Sequence, residues 1–231
     1  MLFSIAIPAY TDDDQIGLSH LKNLLNCIQF QSYKNIEIVI SDHSSNKLIH
    51  DLCFNNFKNL NIIYLKNYVD LGYWGSNMNN AMKNCSGGLI KLMQQDDLLS
   101  NSNVLQDIVN EYFLNSFDWA ICGGYHTKDY KTFYHRVIPK YTKDIYKGNN
   151  KLGGVSSIII KNTEKKLYFE NYLNWMGDCD YYVRCNTLFG KPKIFEEPFI
   201  VYKQWSGQFT NLLSDEVKNK EIQIMINKYE I

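Results

Sequence analysis

Two short acidic segments of this 231-residue chain hold residue types that do chemistry. The first is Gln94-Gln95-Asp96-Asp97, directly after the apolar run LIKLM (89–93). Adjacent carboxylates at a strand end repel each other unless neutralised, and a hard divalent cation neutralises them well. Asp96 and Asp97 are too few to cage Ca²⁺. They suit Mg²⁺ or Mn²⁺ shared with a diphosphate and waters. On spacing alone, either aspartate also suits a cap for a helix near residue 103 or an ordinary turn. Neither a Walker motif nor G-x-G-x-x-G accompanies the pair, so P-loop and dinucleotide readings fail.

The second segment is WMGDCDYYVR (175–184), where Asp178 follows a glycine and opens a helical stretch. A carboxylate at a helix N-terminus is held ionised by the dipole and the free amides, which suits a general base. Asp180 competes for that role, and a plain N-cap is the alternative for Asp178. The Asp12–Asp14 run reads as a solvated loop, and His43 as incidental.

Strands and helices in alternation must position these segments. Leu2–Ile7 is a short apolar run ended by Pro8. From Ile16 to Phe30, apolar residues at 18, 21, 24, 25 and 28 keep helical spacing. Strands follow at 36–41, 61–65 and 89–93, with helical stretches at 51–57 and 74–85 between them. Such alternation predicts βαβ units and a mainly parallel sheet, with ligands bound beyond the carboxyl ends of its strands. YTDDD, SDHSSN and QQDD all lie there. The second half is less regular: strands are expected at 118–124 and 155–161, and helices at 178–188 and 215–228. A long loop spans 140–154, and loops of that length are usually functional or mobile. For the last helix, plain packing is the default over dimerisation or membrane contact. One domain, 1–231, is expected, with a nucleotide-binding half (1–100) and an acceptor half (101–231).

Composition narrows the class. Lys+Arg and Asp+Glu balance at 24 each, which argues against nucleic acid as the partner. With 45% hydrophobic and 21% charged residues, disorder is excluded. No apolar run approaches the roughly 20 residues of a membrane span. The start, MLFSIAIPAY, lacks a basic region and a small-residue cleavage site, so no signal peptide is expected. The six cysteines form no CxxC pair and read as reduced thiols of a cytoplasmic protein. The 17 tyrosines and 4 tryptophans offer faces for sugars and bases, although most will be core.

Taken in order, these segments resemble glycosyltransferase family two, the inverting family with the GT-A fold. SIAIPAY matches its opening strand and tyrosine, and SDHSSN its acidic turn. NNAMKNCSGGLIKLMQQDD resembles its Asn–x–Gly–Ile…Gly…DxDD segment, with matching spacing from Asn79 to Asp96. GDCDYYVR stands for the Glu–Asp–x–Asp…Arg segment, and YKQWSGQFT (202–210) echoes the closing strand and loop. The resemblance implies an α/β, Rossmann-like GT-A fold with a mainly parallel central sheet flanked by helices.

It also implies roles. Tyr10 would lie against the donor's base, Asp42 would hydrogen-bond its edge, and Pro8 and Ala9 would line the same pocket, with Asn79 and Gln95 also on the donor side. Asp96 would ligate a divalent metal, Mn²⁺ or Mg²⁺, with Asp97 adjacent, and Asp178 would be the catalytic base. Trp175 and Trp205 would face the acceptor or pack in the core. The implied reaction moves one sugar from a nucleotide-sugar donor, UDP-linked first, to a glycan or lipid-linked acceptor. A bacterial surface glycan such as lipopolysaccharide, capsule or O-antigen is the expected product, made in the cytoplasm or peripherally at the inner membrane face. There are departures: Gln94 stands at the first acidic position of DxD, Gly177 at the usual Glu, and His43 at a common Gly or Asp. The alternatives are a sugar nucleotidyltransferase, which would need a glycine-rich basic loop where YTDDD stands, and a degenerate glycan- or nucleotide-binding module.

Overall fold

The computed structural model describes residues 1–230. β1 (Phe3–Ala9) is buried along its whole length. Its two faces go to different cores, so it reads as a nearly continuous apolar run rather than an alternating one. Phe3, Ile5 and Ile7 point into a cluster with Leu21, Leu24, Leu25 and Ile28 of α1 (Ile16–Gln29). That cluster also takes Ile49 and Leu52 of α2 (Leu48–Asn56) and Leu105 and Ile108 of α4 (Val104–Leu114). Ala6 points the other way, with Met78, Ala81 and Met82 of α3 (Trp74–Lys83). Tyr181, Tyr182 and Cys185 of α5 (Gly177–Phe189) and Met225 of α7 (Asp215–Tyr229) complete this second core. The result is a three-layer sandwich. Each fully buried leucine or isoleucine contributes roughly 1.5–3 kcal/mol.

Among the described residues the central sheet has nine strands. The remaining ones are β2 (Ile36–Asp42), β3 (Ile62–Lys66), β4 (Leu89–Leu92), β5 (Leu98–Leu99), β6 (Trp119–Thr127), β7 (Phe133–Val137), β8 (Ile158–Lys161) and β9 (Lys193–Lys203). The order is β3-β2-β1-β4-β8-β6-β9-β5, with β7 paired to β6. The β3-β2-β1-β4 wing is entirely parallel. This is the expected mainly parallel sheet of an α/β GT-A fold. Beyond it, β8 runs antiparallel to β4 and β6, while β6 and β9 pair in parallel.

The second half departs from the expected elements. Residues 155–157 form a 3₁₀ turn, so β8 starts only at Ile158. β9 is long because its register shifts twice opposite Cys122–Gly124, which accommodates Glu196-Glu197-Pro198 inside a strand. The 140–154 loop is pinned: Ile145 and Leu152 are fully buried, and Lys140 N donates to Lys151 O at 2.9 Å. α7 packs through Met225 and Glu221, as plain packing predicts; α6 (Phe209–Leu212) is a single exposed turn before it. All six cysteines are free, and no helix of the described residues is long and apolar enough to cross a membrane.

Candidate functional site

β1 and β4 are neighbours whose chains leave in opposite directions along the sheet, which opens a crevice beyond their carboxyl ends. A cavity of about 770 Å³ fills it, within the range of small-molecule sites. Pro8, Ala9 and Tyr10 line it from β1, and Gln94, Gln95 and Asp96 from the turn after β4. Gln95 joins the two loops: its Oε1 accepts from Tyr10 N and its Nε2 donates to Tyr10 O, both at 2.8 Å. This amide pairs with the backbone as a strand would. Gly17 lets α1 start there, because a Cβ would lie 2.2 Å from Tyr10 O.

The two aspartates after β4 part company. Asp96 borders the cavity, and its Oδ2 accepts from Trp205 Nε1 at 2.9 Å. Its carbonyl accepts from Tyr130 Oη at 2.7 Å, and Tyr130 Oη also meets His20 Nδ1 at 2.8 Å. Asp97 turns inward, where its Oδ1 accepts from Lys203 N at 3.0 Å. Burial pushes both carboxyls up, and the Asp96 charge adds to the rise at Asp97. The buried Lys91 lies beside Asp97; desolvation pushes it down to about 8, and its ammonium donates to Ser156 O. The cap reading fails for both aspartates, since Asn103 precedes α4 without a side-chain cap. Of the expected metal pair, therefore, Asp96 alone faces the cavity, with the neutral Gln94 beside it. No group of three or more His, Cys, Asp or Glu side chains forms a metal cage among the described residues. Asp96 and Gln94 fit a cation that takes most of its oxygens from a diphosphate and water.

Other residues expected on the donor side are occupied internally. Asp42 is fully buried: Oδ1 accepts from Ser44 N at 2.7 Å, and Oδ2 from Tyr64 Oη at 2.6 Å and Lys66 Nζ at 3.0 Å. His43 lines the cavity in its place. Asn67 Nδ2 lies 2.9 Å from His43 Nε2, and desolvation lowers the imidazole pKa. Asn79 also lies outside the lining. Its amide brackets Phe169, donating to Phe169 O at 2.8 Å and accepting from Phe169 N at 2.7 Å. Asp12 to Asp14 are an exposed turn, as expected of a solvated loop, and Asp12 and Asp14 also border the cavity.

Asp178 lies in the first turn of α5, partly buried. Met176 is the N-cap, so the plain capping role falls away. Oδ1 of Asp178 accepts from Cys179 N at 2.7 Å and Oδ2 from Asn150 Nδ2 at 2.9 Å. Burial outweighs these hydrogen bonds and pushes the carboxyl up to about 6, opposite to the direction the helix dipole alone would give. The turn packs against the cavity wall: a Cβ on Gly177 would lie 2.8 Å from the Trp74 ring, and Trp74 lines the cavity. Asp180 is fully buried and satisfied by Arg184 Nε (2.6 Å), Lys228 Nζ (2.8 Å) and Tyr229 Oη (2.6 Å), which removes it as a base. Trp175 packs against the second core, whereas Trp205 is at the cavity. Sequence reasoning missed Tyr130 and His20 altogether, because only folding brings residues so far apart in the chain together.

The family model for glycosyl transferase family 2 matches residues 4–191. An uncharacterized glycosyltransferase of Rickettsia conorii is 30% identical over 134 residues, covering 56% of this chain and 20% of that protein. One from Rickettsia typhi is 25% identical over 146 residues, covering 62% and 43%. The chain thus spans less than half the length of either relative. In fold, it superposes on S. aureus TarS 1–349 in complex with UDP-GlcNAc with a TM-score of 0.76 at 16% identity, covering 100% of this chain and 68% of that one. The mannosyltransferase PcManGT of Pyrobaculum calidifontis, in complex with GDP-Man and Mn²⁺, gives 0.64 at 11% identity, covering 98% and 63%.

Proposed function

We propose that this chain, which belongs to glycosyl transferase family 2, moves one sugar from a nucleotide-diphosphate donor to an acceptor hydroxyl with inversion. The observation that carries this reading is the convergence of Pro8, Ala9, Tyr10, Gln94, Gln95 and Asp96 on one cavity, against whose Trp74 wall the turn that opens α5 packs through Gly177, the residue before Asp178. The donor class is UDP-linked, by analogy with TarS, which is solved with UDP and with UDP-GlcNAc. Tyr10, about half exposed at the cavity edge, offers its ring to the base. Asp96, with Gln94, is the residue to hold a Mn²⁺ or Mg²⁺ ion, whose chemistry when bound is to stabilise the leaving diphosphate. Residues 1–100 supply the donor side and 101–231 the acceptor side.

Asp178 takes the proton of the acceptor hydroxyl as its oxygen bonds to the anomeric carbon and the carbon–diphosphate bond breaks. A carboxyl near 6 is ionised at neutral pH yet basic enough to share that proton. Asn150 and the Cys179 amide each hold one carboxylate oxygen, which fixes its direction. The acceptor is a glycan or lipid-linked glycan of a bacterial surface, such as lipopolysaccharide, capsule or O-antigen, and the reaction sits in the cytoplasm at or near the inner membrane face.

Release of nucleoside diphosphate from UDP-sugars, with bacterial lipid-linked glycans as acceptors, tests this. Asp178→Asn is expected to abolish release while donor affinity stays within about twofold. Retained turnover removes Asp178 as the base, and donor binding without turnover in the wild type supports the degenerate binding module instead.

A further inference from the structure

α5, which carries Asp178, is tied down by a residue from the far end of the chain. Glu221 of α7 is 4% exposed and accepts from three consecutive backbone amides. Asn174 N lies 2.8 Å from Oε1, and Trp175 N and Met176 N lie 2.7 and 2.9 Å from Oε2. These amides belong to the turn that leads into Gly177, where α5 begins, and Met176 at the N-cap offers no capping side chain. Glu221 therefore pairs, across the fold, the three amides that lead up to the helix, the last of them the N-cap N–H that the Glu of a capping box pairs locally. A second tie brackets Asp178 from the other side, where Lys228 and Tyr229 of α7 hold the Asp180 carboxylate. All of α7 lies beyond residues 4–191, the part matched by the family model.

We propose that Glu221 is a positioning residue for Asp178: it fixes the turn from which the base projects and seats a negative charge at the positive end of α5. The inference rests on the reading of Asp178 as the base. Free amides and the macrodipole at a helix N-terminus favour a carboxylate's charged form. A carboxylate already seated there offsets that pull, and burial is what raises Asp178 above its ordinary value. The titratable groups facing Asp178 are Cys179 and Tyr182 on α5 and Tyr202 on β9. Burial pushes all three up, so they are neutral near pH 7. Asn150 faces it from the pinned loop, and Gly177, which precedes it, packs against Trp74, none of them titratable. The charge on Asp180 is balanced by Arg184 and Lys228.

The test follows the Asp178 carboxyl by ¹³C NMR in aspartate-labelled protein, its resonance assigned by loss in Asp178→Asn. Titrations of the wild type and Glu221→Gln are run alongside kcat and donor KM. Glu221→Gln keeps the size and removes the charge, and with its one oxygen on Trp175 N and Met176 N it gives up only the Asn174 amide, so the Asp178 midpoint is expected to fall by about half a unit. The acid limb of kcat should move with it, at unchanged donor KM. In Glu221→Ala the turn is also released, and kcat is expected to fall about tenfold or more with donor KM within about twofold. A Glu221→Gln protein with native circular dichroism and an unmoved Asp178 midpoint overturns the proposal. So does parallel loss of kcat and donor affinity in a folded Glu221→Ala. If Asp178→Asn still turns over, the base reading falls, whereas the NMR midpoint in Glu221→Gln decides the Glu221 relationship independently.

Discussion

The indole N–H of Trp205 donates to the Asp96 carboxylate at 2.9 Å, joining the loop after β9 to the turn after β4. Asp96 is the acidic side chain of the QQDD turn that reaches the cavity, and the same loop brings Gln208 and Leu212 to the cavity wall. The segment that closes the cavity is therefore anchored on the group proposed to hold the metal.

Trp205→Phe keeps an aromatic ring and removes the N–H donor. A hydrogen bond to a charged group contributes about 1.5–3 kcal/mol, so affinity for the nucleotide–metal pair should fall roughly 10- to 100-fold. Isothermal titration calorimetry with UDP and Mn²⁺ reads this directly. Unchanged affinity would detach Trp205 from the site.

Asn79→Ala should act on stability rather than on the donor. It leaves the amide and the carbonyl of the buried Phe169 unpaired, at about 1–3 kcal/mol for each buried group. Chemical denaturation should show the loss, while the nucleotide dissociation constant stays within about twofold. A selective loss of nucleotide binding would return Asn79 to the donor pocket.

How much of this was legible varies along the chain. β1 to β4 are short apolar runs between helical stretches, so the parallel wing and its three loops could be read directly. Most of β9 was hidden because Glu196, Glu197 and Pro198 interrupt its pattern, only its end at Tyr202 being read through the resemblance, and β7 because its residues are mostly exposed. The site showed the same divide. The resemblance led to Tyr10, Gln95 and Asp96, but burial decided that Asp42 and Asn79 would be spent on Lys66 and Phe169. Trp205 was left between core and acceptor, since spacing does not show which way an indole N–H points.

The pH dependence follows from Asp178. Its carboxyl rises from 3.8 to about 6 on folding, so a base that must be ionised loses about tenfold in kcat for each pH unit below 6. Linkage runs the other way for stability. A raised folded pKa costs nothing below 3.8, and the cost grows to its full value above about 6. Asp178→Asn should therefore stabilise the protein by about 1–3 kcal/mol at pH 7.5, the group being only partly buried, and hardly at all at pH 3.5. Thermal melts at the two pH values check the sign. A variant destabilised equally at both would contradict it.

The most direct test is a thermal-shift comparison of wild type and Asp96→Asn with UDP, GDP, CDP and dTDP, each with and without Mn²⁺. At 100 times its dissociation constant, a bound nucleotide adds about 2.7 kcal/mol of stability. UDP with Mn²⁺ is expected to stabilise the wild type, omitting the metal to remove most of the shift, and Asp96→Asn to abolish it. A wild type stabilised by no nucleotide, or an Asp96→Asn protein stabilised equally by UDP without metal, contradicts metal-assisted donor binding at Asp96.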